Sequence, residues 1–105
     1  MDVNDMLCEA MRERRTVTIR RSKDPPGTTR TGEPYAIYES SAGNILFHLY
    51  QTAGYTSSAP PPPKWRPFTL RDIDSVEVHD TRFDVQADYN PANRKFYPRF
   101  ICRVE

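Results

Sequence analysis

Cysteine, histidine and glycine are all scarce in this 105-residue chain, and each shortage removes a class of chemistry. The two cysteines, Cys8 and Cys102, have no further Cys or His at ligand spacing, which leaves almost no basis for a zinc site. They read as buried reduced thiols, with a disulfide tying the two ends of the chain together as the alternative. His48 and His79 stand far apart, and the serines cluster in loops with no histidine near them in sequence. Nothing in that spacing argues for a converging nucleophile, base and oxyanion donor. The four glycines form no phosphate-cradling loop. The chain is therefore expected not to be an enzyme, and no metal or cofactor is expected. No apolar run approaches the roughly 20 residues of a membrane span, and the Met-Asp-Val-Asn-Asp start lacks the basic-then-apolar order of a signal peptide. A soluble cytoplasmic protein without membrane attachment is the simplest expectation.

Proline is plentiful instead: ten residues, four of them consecutive from Pro60 to Pro63. With a hydrophobic fraction of 37%, loops must take up a good share of a single small domain. The net charge of +1 conceals segregation. Residues 12–30 carry seven basic residues against two acidic ones, residues 71–90 two against six, and residues 94–105 four against one. Such blocks either build faces of opposite sign, suited to an anionic ligand or to self-association, or neutralise one another in space.

Hydrophobic spacing supplies the elements. Val3, Leu7, Ala10 and Met11 recur every three or four residues behind a capping Asp2 or Asn4, which predicts a helix over about 3–15. From Thr16 the pattern alternates through Val17 and Ile19, as a strand requires. A loop at Lys23–Gly27 leads to a second strand with a break near Gly32, and a turn at residues 40–44 leads to a nearly continuous apolar strand over residues 45–50. Ile45, Phe47 and Leu49 point to the core; Leu46, His48 and Tyr50 point outward into a groove, a partner, or the helix. Residues 54–64 form a long exposed proline-rich loop that cannot enter a sheet.

The segment Trp65–Val78 is the most explicit of all. It reads as two strands joined at a tight corner, with Phe68, Leu70, Ile73, Val76 and Val78 buried. A final strand over about 94–104 carries Pro98, which suggests an edge position and makes a homodimer through that edge plausible. One helix followed by five or six short strands predicts a mainly β fold, a small antiparallel barrel of the Sm or SH3 type, with the barrel over about 16–83.

The same features in order resemble the WYL domain, a small Sm-like barrel found in many bacterial transcriptional regulators. The likeness rests on the short helix entering a Val-Thr-Ile strand and on Arg30 to Pro34, which is similar to an Arg-x-x-x-Pro element. It rests also on the apolar strand over residues 45–50, and on Arg66-Pro67-Phe68-Thr69-Leu70-Arg71-Asp72-Ile73, similar to an Arg-x-Phe-x-Leu-x-x-Ile element. Ile45-Leu46-Phe47 stands where the family has Trp-Tyr-Leu, and Arg20 or Arg21 where it has a tyrosine. Only a dozen or so residues precede the first strand, so operator DNA binding through the family's usual helix-turn-helix domain is not expected.

The resemblance implies a regulatory or sensing module that binds a negatively charged ligand, a nucleotide or single-stranded nucleic acid, through Arg30 and Arg66. Arg20, His48 and Tyr50 join them by strand parity. The guanidinium fork of Arg66 suits phosphate and the indole of Trp65 offers a face for a base, so these neighbours are the expected ligand-binding pair. The alternative is a protein-protein interaction adaptor working through the proline-rich loop or the barrel surface.

Overall fold

The first turn of the chain is closed by Asp2, whose carboxylate accepts from the Asp5 N–H at 2.8 Å and caps helix α1, Val3–Glu13. The computed structural model describes residues 2–104. Helix α1 buries Leu7, Ala10 and Met11, and ends two residues before the expected limit because Arg14 adopts the left-handed conformation (φ 55°), its N–H reaching back to the Ala10 and Met11 carbonyls. The β-branched run behind it then takes over as β1, Arg15–Arg21.

Five further strands follow: β2 (Arg30–Glu39), β3 (Ile45–Gly54), β4 (Lys64–Thr69), β5 (Ile73–Arg82) and β6 (Arg99–Arg103), with a 3-10 turn at Leu70–Asp72 between β4 and β5. All pairings are antiparallel, in the order β4-β3-β2-β1-β5, and β6 lies against β2. β2 is the organising strand. Its first half pairs with β1 at Val17–Gly32 and its second half with β6 at Ala36–Arg103, while β3 runs along its other edge. The strand does not break at Gly32; the register against β3 shifts there instead. A Cβ at Gly32 would stand 2.2 Å from the Tyr50 carbonyl oxygen, so only glycine permits this approach.

The Trp65–Val78 segment forms two strands joined at a corner, as expected, and β4 and β5 are the two edge strands of the sheet. In a flat sheet, strands four places apart would be separated by roughly 19 Å. Yet Thr69 and Ile73 are four residues apart, a span of at most about 14 Å. The sheet must bend to bring its edges towards one another. Among the described residues no ladder joins β4 to β5, and the sheet stays open. Phe68 and Ile73 are buried as expected, whereas Leu70, Val76 and Val78 are only half-buried. Leu70 lies in the 3-10 turn, and β5 is an edge strand with neighbours on one side.

The core gathers Leu7, Met11, Val17, Ile19, Ile37, Phe47, Leu49 and Phe68. The cysteine expectation is overturned: Cys8 and Cys102 form a disulfide, with Cα atoms 5.8 Å apart, stapling α1 to β6. Linear distance hid this, because the β2–β6 ladder returns the chain's end to its beginning. Cytosolic chains rarely keep such bonds, so cysteine usage gives no support to a cytoplasmic location. Among the described residues no helix is long and apolar enough to cross a membrane. The charge blocks partly neutralise one another, since β1 lies beside β5: Lys23 meets Asp72 at 3.1 Å and Arg15 meets Asp80 at 3.5 Å.

Candidate functional site

β3 places successive side chains on opposite faces of the sheet. Phe47 and Leu49 enter the core, and His48 enters a second cluster built on Ala36, Tyr38 and Tyr97. This second face is covered by residues 84–98, a segment held by side-chain turns rather than by the strand expected from residue 94. Asn90 Oδ1 accepts from the Ala92 N–H, and Asn93 accepts from the Phe96 N–H through its side chain and from the Tyr97 N–H through its carbonyl. The turn at Asn93 lays Phe96 and Tyr97 over β3.

Between this segment and β3–β4 lies a groove of about 420 Å³, lined by His48, Trp65, Pro67, Asp88, Tyr89, Asn90, Asn93, Phe96 and Tyr97. Its walls are aromatic. The His48 ring stacks on Phe96 at 5.1 Å and lies 4.9 Å from Trp65. Trp65 packs edge-on to Tyr50 at 5.0 Å and to Tyr35 at 4.7 Å, and its indole N–H donates to Asp88 Oδ2 at 2.8 Å. His48 is 5% exposed, and Nδ1 shares a 2.7 Å hydrogen bond with the Tyr97 hydroxyl. Burial pulls its pKa down to about 4, so the imidazole is neutral at physiological pH. Burial pushes the Tyr97 hydroxyl well above its usual range, and the charges of Tyr89, Tyr38 and Asp88 add to this.

The six residues expected from the sequence therefore divide. His48 and Trp65 come together at the groove, and Tyr50 packs against Trp65 outside its lining. Arg66 does not join them, because consecutive residues of a strand face opposite ways. Its guanidinium lies 5.9 Å from the Phe68 ring and Nη1 donates to Ser58 Oγ at 3.3 Å, while Nε is buried without a hydrogen-bond partner. Trp65 and Arg66 thus cannot grip one ligand as a neighbouring pair.

Arg30 is 1% exposed. Its fork holds Asp24 at 2.9 and 3.0 Å, Nη1 reaches Gln51 at 3.2 Å, and the cation lies 5.0 Å from Phe68. The hydrogen bond from Arg30 holds the Asp24 carboxyl below its usual range. This pair is a buried structural anchor. Arg21, Arg30 and Arg66 all surround Phe68, and Lys64 stands near, its ammonium lowered first by desolvation and then by Arg66 and Arg30. Arg20 is exposed on β1, beside a depression of about 120 Å³ that touches none of the other five.

His79 is half-buried, with Nε2 2.7 Å from Thr18 Oγ1 and Nδ1 3.5 Å from Glu77. The order hydroxyl, imidazole, carboxylate imitates a hydrolase. However, the Thr18 hydroxyl is shared with Thr31 at 2.8 Å and the Glu77 side chain is 74% exposed, which fits a surface polar network. Among the described residues no group of three or more His, Cys, Asp or Glu side chains could hold a metal ion.

Sequence reasoning missed the groove's outer wall: Asp88, Tyr89, Asn90, Asn93, Phe96 and Tyr97. The available signal was the run of aromatics interrupted by turn-forming asparagines, which a strand reading of residues 94–104 obscured. A scan against protein-family models, a search of curated proteins and a search of solved structures each return no match.

Proposed function

We propose that this chain is a non-catalytic binding module, related in design to the WYL-type barrel, that recognises a protein partner by taking one of its side chains into the aromatic groove. The observation that carries this reading is the lining: aromatic rings from β3, β4 and the 84–98 segment, with Asp88 as its one charge apart from the neutral His48. Ligand pockets characteristically combine apolar and aromatic walls with a few fixed polar groups. The groove's imidazole is buried, neutral and held by the Tyr97 hydroxyl, and its carboxylate is held by the Trp65 indole. Trp65 is the only tryptophan, so its fluorescence reports on the groove directly.

The test is a panel of peptides presenting aromatic, aliphatic, proline-rich, basic or acidic side chains, titrated against Trp65 emission. At least one class should saturate and change that emission, and Phe96→Ala should abolish the response while leaving the far-UV spectrum intact, since Phe96 is 46% exposed. A panel that never perturbs Trp65, or binding indifferent to Phe96→Ala, refutes the reading.

The nucleotide or single-stranded nucleic-acid reading has its own support in the basic cluster of Arg66 and Lys64, where Arg66 Nε is buried without a hydrogen-bond partner. Gel-shift binding that strengthens as salt falls and disappears in Arg66→Ala would move the function to that cluster.

A further inference from the structure

We infer that the partner side chain taken into the groove is a cation, a lysine and preferentially a methylated one. This rests on the groove reading above and adds its chemical class. Three observations converge. First, the groove is lined by the rings of Trp65, Tyr89, Phe96 and the nearly buried Tyr97, and aromatic rings attract ammonium groups through their quadrupoles. Second, the only ionised side chain on the wall is a carboxylate. Asp88 is fixed by the 2.8 Å bond from Trp65 Nε1 to one oxygen, so the charge is held beside the best cation–π partner in the groove. Third, the Asp88 charge is felt by the surrounding rings: it adds to the rise of the Tyr35 and Tyr97 hydroxyls, whose main cause is burial, while Arg103 acts in the opposite sense at Tyr89. Arg94, Arg99 and Arg103 line a neighbouring cleft that shares Tyr97 as a wall and no other residue of the groove, and of these Arg103 acts on the groove's Tyr89.

A lysine suits this arrangement better than an anion or a plain hydrocarbon. Its apolar stem lies along the rings while the ammonium reaches Asp88. Methylation reduces hydration of the cation, which lowers the cost of seating it between rings, and leaves the charge in place. An anionic group would meet Asp88 instead.

Four capped Gly-Ser-flanked hexapeptides, identical except for one central residue, decide the matter: lysine, trimethyllysine, norleucine or glutamate. Trimethyllysine and lysine should bind at least roughly fivefold more tightly than norleucine, and glutamate should not change Trp65 emission. Asp88→Asn keeps an oxygen to accept the Trp65 N–H but removes the charge, and should bring the two cationic peptides down to the norleucine level. If norleucine binds as tightly as lysine, the cation assignment is overturned while the groove reading stands. If no peptide perturbs Trp65 in this set or in the wider panel, the groove reading itself fails. Choline binding more tightly than every peptide would overturn the partner assignment and give the cage to a small onium ligand.

Discussion

At the scale of single residues, burial rather than position in the sequence decides what each candidate can do. Arg30 carries the fork that suits phosphate, but that fork is spent on Asp24 inside the protein, where removing either partner would strand a charge. His48 shows the same logic with a measurable pH signature. Its folded pKa of about 4 lies below the model-compound value of 6.5, because burial disfavours the imidazolium. Above pH 6.5 both folded and unfolded states hold it neutral and the depression has no effect on stability. As pH falls from 6.5 towards 4 the unfolded chain takes up the proton and the folded one does not, so stability declines. The full loss is about 3 kcal/mol and is reached near pH 4. Urea denaturation at pH 7, 6, 5 and 4 should show this decline, and His48→Gln should flatten it between pH 6.5 and 4. An unchanged slope in the variant would place the titration elsewhere.

At the scale of elements, the strands that alternate most regularly were the most legible. Val17 and Ile19 on β1, and Phe47 and Leu49 on β3, are buried as their period of two requires, and α1 buries the stripe its spacing marks. Two things stayed hidden. Strand neighbours are not written into local pattern, so the corner at Leu70–Asp72 was visible while the placement of β4 and β5 at opposite edges was not. Segment 84–98 has no period because asparagine side chains, not a ladder, hold its turns. Half of the groove was therefore readable from β3 and β4, and the other half was not.

The staple between α1 and β6 was legible only as the less favoured alternative to free thiols, and its energetic weight follows from the 94-residue separation of Cys8 and Cys102. Closing a loop of that length restricts the unfolded chain, and its removal should cost roughly 2–5 kcal/mol. Thermal denaturation with and without a reductant should show a clear fall in Tm. The Cys8→Ser, Cys102→Ser variant should match the reduced protein and be insensitive to reductant. A Tm unmoved by reduction would mean that the bond contributes no net stability.

At the scale of the whole molecule, the staple and the groove belong to one mechanical unit. The segment that forms the outer wall is fixed at its start by Phe83, whose N–H donates to the Arg14 carbonyl at 2.9 Å, and at its end by β6, through the β2 ladder, the disulfide and the Val104 N–H on Tyr35. Between these anchors, Tyr97 on His48 and Asp88 on Trp65 are the hydrogen bonds that dock the wall on β3 and β4. Cutting the staple adds freedom to β6 and so raises the population of molecules whose wall has left the sheet. A ligand that needs both walls then binds only the docked fraction, and its apparent affinity falls by that fraction. Linkage makes the relation reciprocal: whatever factor reduction takes from binding, the bound ligand returns as resistance of the disulfide to reduction. The trimethyllysine hexapeptide should therefore bind the Cys8→Ser, Cys102→Ser variant more weakly than the native protein by Trp65 fluorescence, at a temperature where both give the same far-UV spectrum. The same peptide should lower the fraction of native disulfide reduced at equilibrium in a fixed thiol–disulfide buffer. Equal affinities in the two proteins, together with a reduced fraction indifferent to peptide, would show that the wall docks without help from the staple and that the two features act independently.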